Sequence, residues 1–246
     1  LGDDLPEESR LPILNWLLDQ QFQEVHPYTN ANPGGWAWTP LPGGVPDADD
    51  TAGAILALMQ LSRESKAPSP SPAVATAGTT AGQNAPRELD VRVRSAVAAG
   101  VRWLLDLQNR DGGFPTFCRG WGQLPFDRSS ADITAHALRA FAAHAGDWLF
   151  CEDDCDELDM PASVADGLAG IHRGLRYLNG AAGTAGYWLP LWFGNQHAPD
   201  DINPAYGTAK VLAAYLDCRM LDREPARRGL QWLRANQNSD GGWGAG

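Results

Sequence analysis

The sequence predicts an all-α fold in which helix pairs repeat along the chain and stack into part of a ring. Three observations predict it. A phrase built from an aromatic-Leu helix, a Gln and an Asn/Asp-Gly-Gly-aromatic turn recurs along the chain. A second phrase, rich in Ala and Leu with a Thr near its start, follows the first. Strand signals, by contrast, are nearly absent.

The first phrase is clearest in Val101–Phe114 (VRWLLDLQNRDGGF) and Leu230–Trp243 (LQWLRANQNSDGGW). Weaker copies are Leu14–Gln21 (LNWLLDQQ), with Gly34-Gly35-Trp36 displaced downstream, and Leu175-Arg176-Tyr177-Leu178, followed by Gly186-Tyr187-Trp188. Each reads as a helix whose aromatic-Leu pair packs inward and whose end is a turn that Gly makes sterically accessible. On this reading Trp16, Trp103, Trp232 and Trp243 pack between helices. The second phrase appears as Asp50–Leu58 (DTAGAILAL), Ile133–Phe141 (ITAHALRAF) and Gly207–Tyr215 (GTAKVLAAY). Small and apolar residues on every face predict buried helices with close neighbours.

Roughly seven helices result from counting both phrases. Residues 1–246 form a single domain on this reading, interrupted by two insertions. Ser62–Pro86, with SPSPAV and TAGTTAGQ, reads as a flexible Pro/Ser/Ala/Thr linker, and Cys151–Pro161 (CEDDCDELDMP) as an acidic loop. The odd helix count and the ending at Gly246, directly after a glycine turn, predict an incomplete ring.

Charge and cysteine usage exclude several function classes. Lys and Arg number 19 against 30 Asp and Glu, for a net charge of -11, which argues against a nucleic-acid surface because phosphate binding needs clustered cations. The four cysteines, Cys118, Cys151, Cys155 and Cys218, are too scattered for a disulfide framework, and no secretory leader precedes them, so a reduced, cytoplasmic setting is expected. No His stands near the loop cysteines to complete a zinc site. No apolar run approaches the length that spans a bilayer, so any membrane contact would be peripheral.

The stretch Val45-Pro46-Asp47-Ala48-Asp49-Asp50-Thr51-Ala52 puts three carboxylates into four positions at the start of a buried helix. One acid is explained as an N-cap favoured by the positive end of a helix. Three are more than capping requires. Close like charges raise the pKa of one member, which leaves a carboxylic acid protonated near neutral pH and able to donate a proton. Asp132 holds the place in the second repeat that Asp49 holds in the first, and His136 lies one helical turn further along the same face. If neighbouring inner helices run the same way, Asp47, Asp49, Asp50, Asp132 and His136 converge at one end of a shared cavity.

These motifs together resemble the squalene-hopene cyclase and oxidosqualene cyclase family of triterpene cyclases. The glycine-turn phrases resemble its QW repeats, and Asp47-Ala48-Asp49-Asp50-Thr51-Ala52 resembles its bacterial DxDDTA motif. The match extends back to Pro33-Gly34-Gly35-Trp36-Ala37-Trp38 and reappears at Leu124-Pro125-Phe126 and at Asp132-Ile133-Thr134-Ala135-His136. The resemblance implies an α/α toroid, an isomerase activity, and a small isoprenoid substrate whose terminal alkene is protonated by Asp49. It implies that Asp47 and Asp50 assist as carboxylates, and that His136, hydrogen-bonded to Asp132, tunes the acid. An unactivated alkene is a very poor base, so such chemistry needs a strong, positioned donor. No metal or cofactor is implied, because protonation rather than diphosphate ionisation starts the reaction.

A carbocation is stabilised without a nucleophile by aromatic faces. Matching to the family residue by residue assigns this role to Trp38, to Phe117, and to either Trp188 or Trp192, between which the insertion Leu189-Pro190 leaves the alignment open. Family members are longer than this chain and close their cavity with further segments, which fits an incomplete ring; the resemblance also implies peripheral attachment to the inner membrane. Two other readings remain at this stage. A class II diterpene cyclase also uses a DxDD acid, although the Asp-x-x-x-His helix favours the triterpene branch. A non-catalytic helical ring used for binding is the other.

Overall fold

A computed structural model describes residues 5–64, 84–117, 127–150 and 160–244. Among these residues lie seven α-helices: α1 (Glu7–Gln20), α2 (Ala48–Glu64), α3 (Asn84–Leu107), α4 (Ala131–Ala145), α5 (Ala162–Ala181), α6 (Pro204–Asp217) and α7 (Glu224–Ala235). Extended pairing among them is limited to two isolated bridges, Ala37 with Pro46 and Phe114 with Ser130. The fold is all-α, as expected.

The second phrase builds an inner layer. α4 packs between α2 and α6, while α3, α5 and α7 cover α2, α4 and α6 from outside, and α1 covers the free flank of α2. Composition explains the division. α4 is buried on nearly every face because Ala135, Ala137, Ala140 and Ala142 let neighbours approach from all sides. α7 buries only Ala226 and Gly229, the narrow stripe of an outer helix. The result is a two-layered arc of helix pairs, the α/α toroid pattern.

Two sets of recurring hydrogen bonds tie the layers together. The backbone N–H of the turn aromatic donates to the inner-helix threonine in each pair: Trp36 to Thr51 at 3.0 Å, Phe114 to Thr134 at 2.9 Å and Trp188 to Thr208 at 3.2 Å. All three threonines are fully buried, so each bond satisfies groups that water cannot reach. The phrase glutamines clamp successive units. Gln108 Nε2 donates to Gly112 O of its own turn and to Gly170 O of α5, and Gln21 Nε2 donates likewise to Gly34 O and to Ala96 O of α3. Gly112 adopts φ +92°, and a Cβ there would stand 2.3 Å from Arg173 O, so both the turn and the contact with α5 require glycine.

Helices reach into both ends of the Ser62–Pro86 linker, while Met160 and Pro161 of the acidic loop precede α5. α2 continues to Glu64, anchored by buried Leu61, and α3 begins at Asn84 with Pro86 in its first turn, where proline is tolerated. Residues 65–83 of the linker and 151–159 of the acidic loop lie outside the described residues, as do Cys118, Cys151, Cys155 and Leu124-Pro125-Phe126. Trp103 packs between helices as expected, but Trp16 is 53% exposed, because one flank of α1 has no helix against it among the described residues. No helix among the described residues is long and apolar enough to cross a membrane.

Candidate active site

Asp47 is the N-cap of α2. Its backbone N–H donates to Trp36 O at 3.0 Å, and its Oδ1 accepts the N–H of Asp50 at 2.8 Å. The cap is buried, with 4% of Asp47 exposed. Asp49 and Asp50 follow in the first turn, and the Asp49 side chain remains 41% exposed. Asp49 and Asp50 are both partly exposed, so an incoming molecule can reach them where it cannot reach Asp47.

α4 starts beside α2 and brings His136 to Asp49. His136 Nδ1 stands 2.6 Å from Asp49 Oδ1, a charge-assisted hydrogen bond between residues 87 apart in the chain. The ring lies beside Gly53, where a Cβ would stand at ordinary contact distance, 3.7 Å from His136 Cε1. The expected contact between Asp132 and His136 is replaced by a different pairing. Asp132 is 2% exposed and accepts a short hydrogen bond from the Ser130 hydroxyl, which in turn accepts the N–H of Leu191 at 3.1 Å. His136 thus holds the acid directly, and Asp132 belongs to a neighbouring network.

Electrostatics distribute the protons differently from the expectation. Burial, aided by a hydrogen bond and charge repulsion with Asp50, pushes the Asp47 carboxyl up to about 9. Burial thus favours the protonated form of Asp47 over the carboxylate that the resemblance implied. Asp49 shifts the other way, below the usual carboxylate range, through its hydrogen bond to His136 against the cost of partial burial; charge attraction to His136 and Lys210 adds to this. Asp132 is raised by burial despite its bond from Ser130. The crowded acids thus retain a proton on the buried cap, while the partly exposed Asp49 becomes the stronger acid.

A cleft of about 510 Å³ opens over these groups, lined by Trp38, Asp47, Asp49, Asp50, Thr116, Phe117, Ile133, Trp192 and Phe193. Trp38, Phe117 and Trp192 therefore stand where the resemblance placed them, around the acids. Trp188 does not. Its side chain is fully buried, its indole N–H donates to Leu178 O at 2.7 Å, and its ring packs on Tyr215. Trp188 is the turn aromatic of its repeat, equivalent to Trp36, whose indole donates to Leu17 O at 2.8 Å. Phe193 was missed by sequence reasoning, as was Tyr206, whose ring centroid lies 5.1 Å from that of Phe193. Their signal was present: Tyr206 stands two residues before Thr208, as Asp49 stands before Thr51.

The model of the squalene-hopene cyclase C-terminal domain matches residues 73–246. The chain belongs to the squalene-hopene cyclase family. It is 26% identical over 249 residues to the probable squalene--hopene cyclase of Sinorhizobium fredii, a match that covers 94% of this chain and 31% of that protein. A drimenyl diphosphate synthase of Streptomyces showdoensis is 32% identical over 153 residues, covering 62% of this chain and 24% of the relative. The chain spans about a third of the length of the squalene--hopene cyclases it matches. Among solved structures, a family 10 polysaccharide lyase from Cellvibrio cellulosa aligns with TM-score 0.52 at 15% identity, covering 92% of this chain and 64% of that one. This likeness concerns the stacking of helix pairs. The relatives' names describe squalene--hopene cyclases and a drimenyl diphosphate synthase.

Proposed function

We propose that this chain carries the acid end of a triterpene cyclase that protonates a terminal alkene of squalene, or of a related linear polyprenoid, and steers the carbocation through ring closure. The observation that carries this reading is the Asp49–His136 pair at 2.6 Å, opening on a cleft with aromatic walls. In its protonated form Asp49 gives its proton to the CH carbon of the terminal trisubstituted alkene. The O–H bond breaks, a C–H bond forms, and positive charge develops on the adjacent substituted carbon. His136 stabilises the carboxylate left behind, which makes Asp49 a stronger donor than an isolated carboxyl. The indole of Trp38 and the rings of Phe117, Trp192 and Phe193 offer π-faces to the cation and no good nucleophile.

A second reading, cyclisation of a prenyl diphosphate, is favoured by the match to a drimenyl diphosphate synthase. Protonation by Asp49 would begin both reactions. Incubation of the full-length protein with squalene and, separately, with farnesyl and geranylgeranyl diphosphates, followed by product analysis, separates them. Cyclic hydrocarbon or alcohol from squalene supports the triterpene reading. Cyclic diphosphates from the shorter substrates, with squalene unconverted, replace it by the second, and no product from any of them favours a binding role.

A further inference from the structure

The three inner helices begin on different N-caps, and two of the caps bond groups outside their own helix. Asp47 caps α2 in the ordinary way, with its Oδ1 accepting the N–H of Asp50 at 2.8 Å. Ser130 stands at the N-cap of α4, yet its hydroxyl makes no capping bond. It donates instead to Asp132 Oδ1 and accepts the N–H of Leu191, 61 residues further on, at 3.1 Å. Asn203, the N-cap of α6, does both: its Oδ1 accepts the N–H of Tyr206 at 3.3 Å, and its Nδ2 donates to Phe193 O at 2.9 Å. A cap side chain ordinarily satisfies a free N–H of its own helix, so Ser130 gives up local stability for a tie to a distant segment.

That segment is the cleft wall. Leu191 and Phe193 flank Trp192, and Trp192 and Phe193 both line the cleft over the acids. Residues 188–193 form neither helix nor strand, so no ladder of backbone bonds fixes them. Trp192 and Phe193 are 41% and 42% exposed, which means that packing holds them on one side only. Where they stand is therefore decided by the bonds to the backbone on either side of Trp192, at Leu191 N from α4 and at Phe193 O from α6. The Phe193 ring also rests on Tyr206, in the first turn of α6, with the centroids 5.1 Å apart.

We propose that Ser130 and Asn203 are positioning residues that determine product specificity: they hold the backbone around Trp192 and so fix the aromatic wall against which a polyprenoid chain folds. Asp132 belongs to the same device. By accepting the Ser130 proton it turns the hydroxyl lone pair toward Leu191 N–H, so that it acts on the wall rather than on the acid. The inference rests on the reading of the cleft as a cyclisation site. A chain folded against a displaced wall presents its alkenes to the cation in another conformation, and a different ring closure then competes.

Ser130→Ala and Asn203→Asp in the full-length protein, given squalene, test this. The first removes both serine bonds, and the second keeps the oxygen that caps α6 while removing the donor to Phe193 O. Each is expected to change the ratio of cyclic products about two- to tenfold, the range that one lost hydrogen bond produces, with the pH profile of kcat in its wild-type position. Asp132→Ala is expected to reproduce the Ser130→Ala ratio, and Asp132→Asn, which keeps an oxygen for the hydroxyl, to restore it. Adding Ser130→Ala to Trp192→Ala is expected to change the ratio no further, because the ring being positioned is gone. An unchanged ratio in either Ser130→Ala or Asn203→Asp would overturn the proposal, and equal ratios in Asp132→Ala and Asp132→Asn would overturn the role of Asp132. ¹⁹F NMR of protein carrying fluorotryptophan, with the Trp192 resonance assigned through Trp192→Phe, provides a readout independent of turnover. That resonance is expected to move in Ser130→Ala and in Asn203→Asp, and an unmoved resonance contradicts the positioning role whatever the reaction. Absence of any product from squalene with the wild type contradicts the proposed function instead, and the two failures are thereby distinguished.

Discussion

His136 on α4 meets Asp49 on α2 at 2.6 Å, across the seam between two adjacent inner helices. The pair unites two repeats and lowers the pKa of Asp49, a partly exposed acid of the cleft. Replacing His136 by Phe keeps a ring in the space beside Gly53 but removes the hydrogen bond. The expected result is a loss in kcat of about 10²-fold or more, with KM for squalene little changed. Steady-state kinetics on the full-length protein check it.

Asp47 predicts a pH dependence of stability. Its folded pKa lies far above that of the unfolded chain because the carboxyl is buried beside Asp50. The folded state therefore binds a proton that the unfolded state has released, and this stabilisation, complete below about pH 4, declines as pH rises toward 9. Asp47→Asn retains the oxygen that accepts the Asp50 N–H but cannot ionise. Thermal melts from pH 5 to 9 are expected to show the variant gaining on the wild type as pH rises. Asp49 does not confuse the comparison, since its lowered pKa contributes stability that is lost only as pH falls below the usual carboxylate range.

Trp188 and Trp192 are four residues apart and should behave oppositely. Trp188→Ala removes a fully buried indole and its bond to Leu178 O, with an expected cost of about 3–5 kcal/mol in chemical denaturation. Trp192→Ala, at the cleft wall, is expected to leave the unfolding midpoint close to wild type while changing the product distribution.

The glutamine clamp predicts a local stability effect far from the acids. Gln108→Leu strands the carbonyls of Gly112 and Gly170 and frees Arg173, which donates its Nε to Gln108 Oε1 at 2.8 Å. The expected destabilisation is about 1–3 kcal/mol, with hydrogen exchange accelerated first in the 109–114 turn and the adjoining part of α5.

Much of this arrangement was legible before any coordinates. The recurring Gln, the glycine turn and the inner-helix threonine are local signals, and together they account for the two recurring sets of hydrogen bonds. The meeting of Asp49 with His136 was legible because repeats impose equivalent positions, so two helix starts known in register predict a contact across 87 residues. Proton placement was not legible. It depends on how deeply packing buries Asp47 compared with Asp49, and three nearly adjacent aspartates look alike in sequence. The resemblance paired Asp132 with His136, yet Ser130, two residues away, is the side chain that donates to it. The choice between Trp188 and Trp192 turned on the Leu189-Pro190 insertion, which shifts the alignment but leaves the bond from Trp188 to Thr208 intact.

The central claim is that Asp49 starts the reaction by transferring a proton that solvent supplies. Full-length protein equilibrated in D₂O and given squalene tests it most directly, with product isotopes read by mass spectrometry and NMR. The account predicts a cyclic product carrying one solvent deuteron in the ring CH2 formed from the CH carbon of the protonated terminal alkene, next to the dimethyl-bearing ring carbon, and no product from the Asp49→Asn variant. Cyclic product without that deuteron, or product formed equally well by Asp49→Asn, would contradict it.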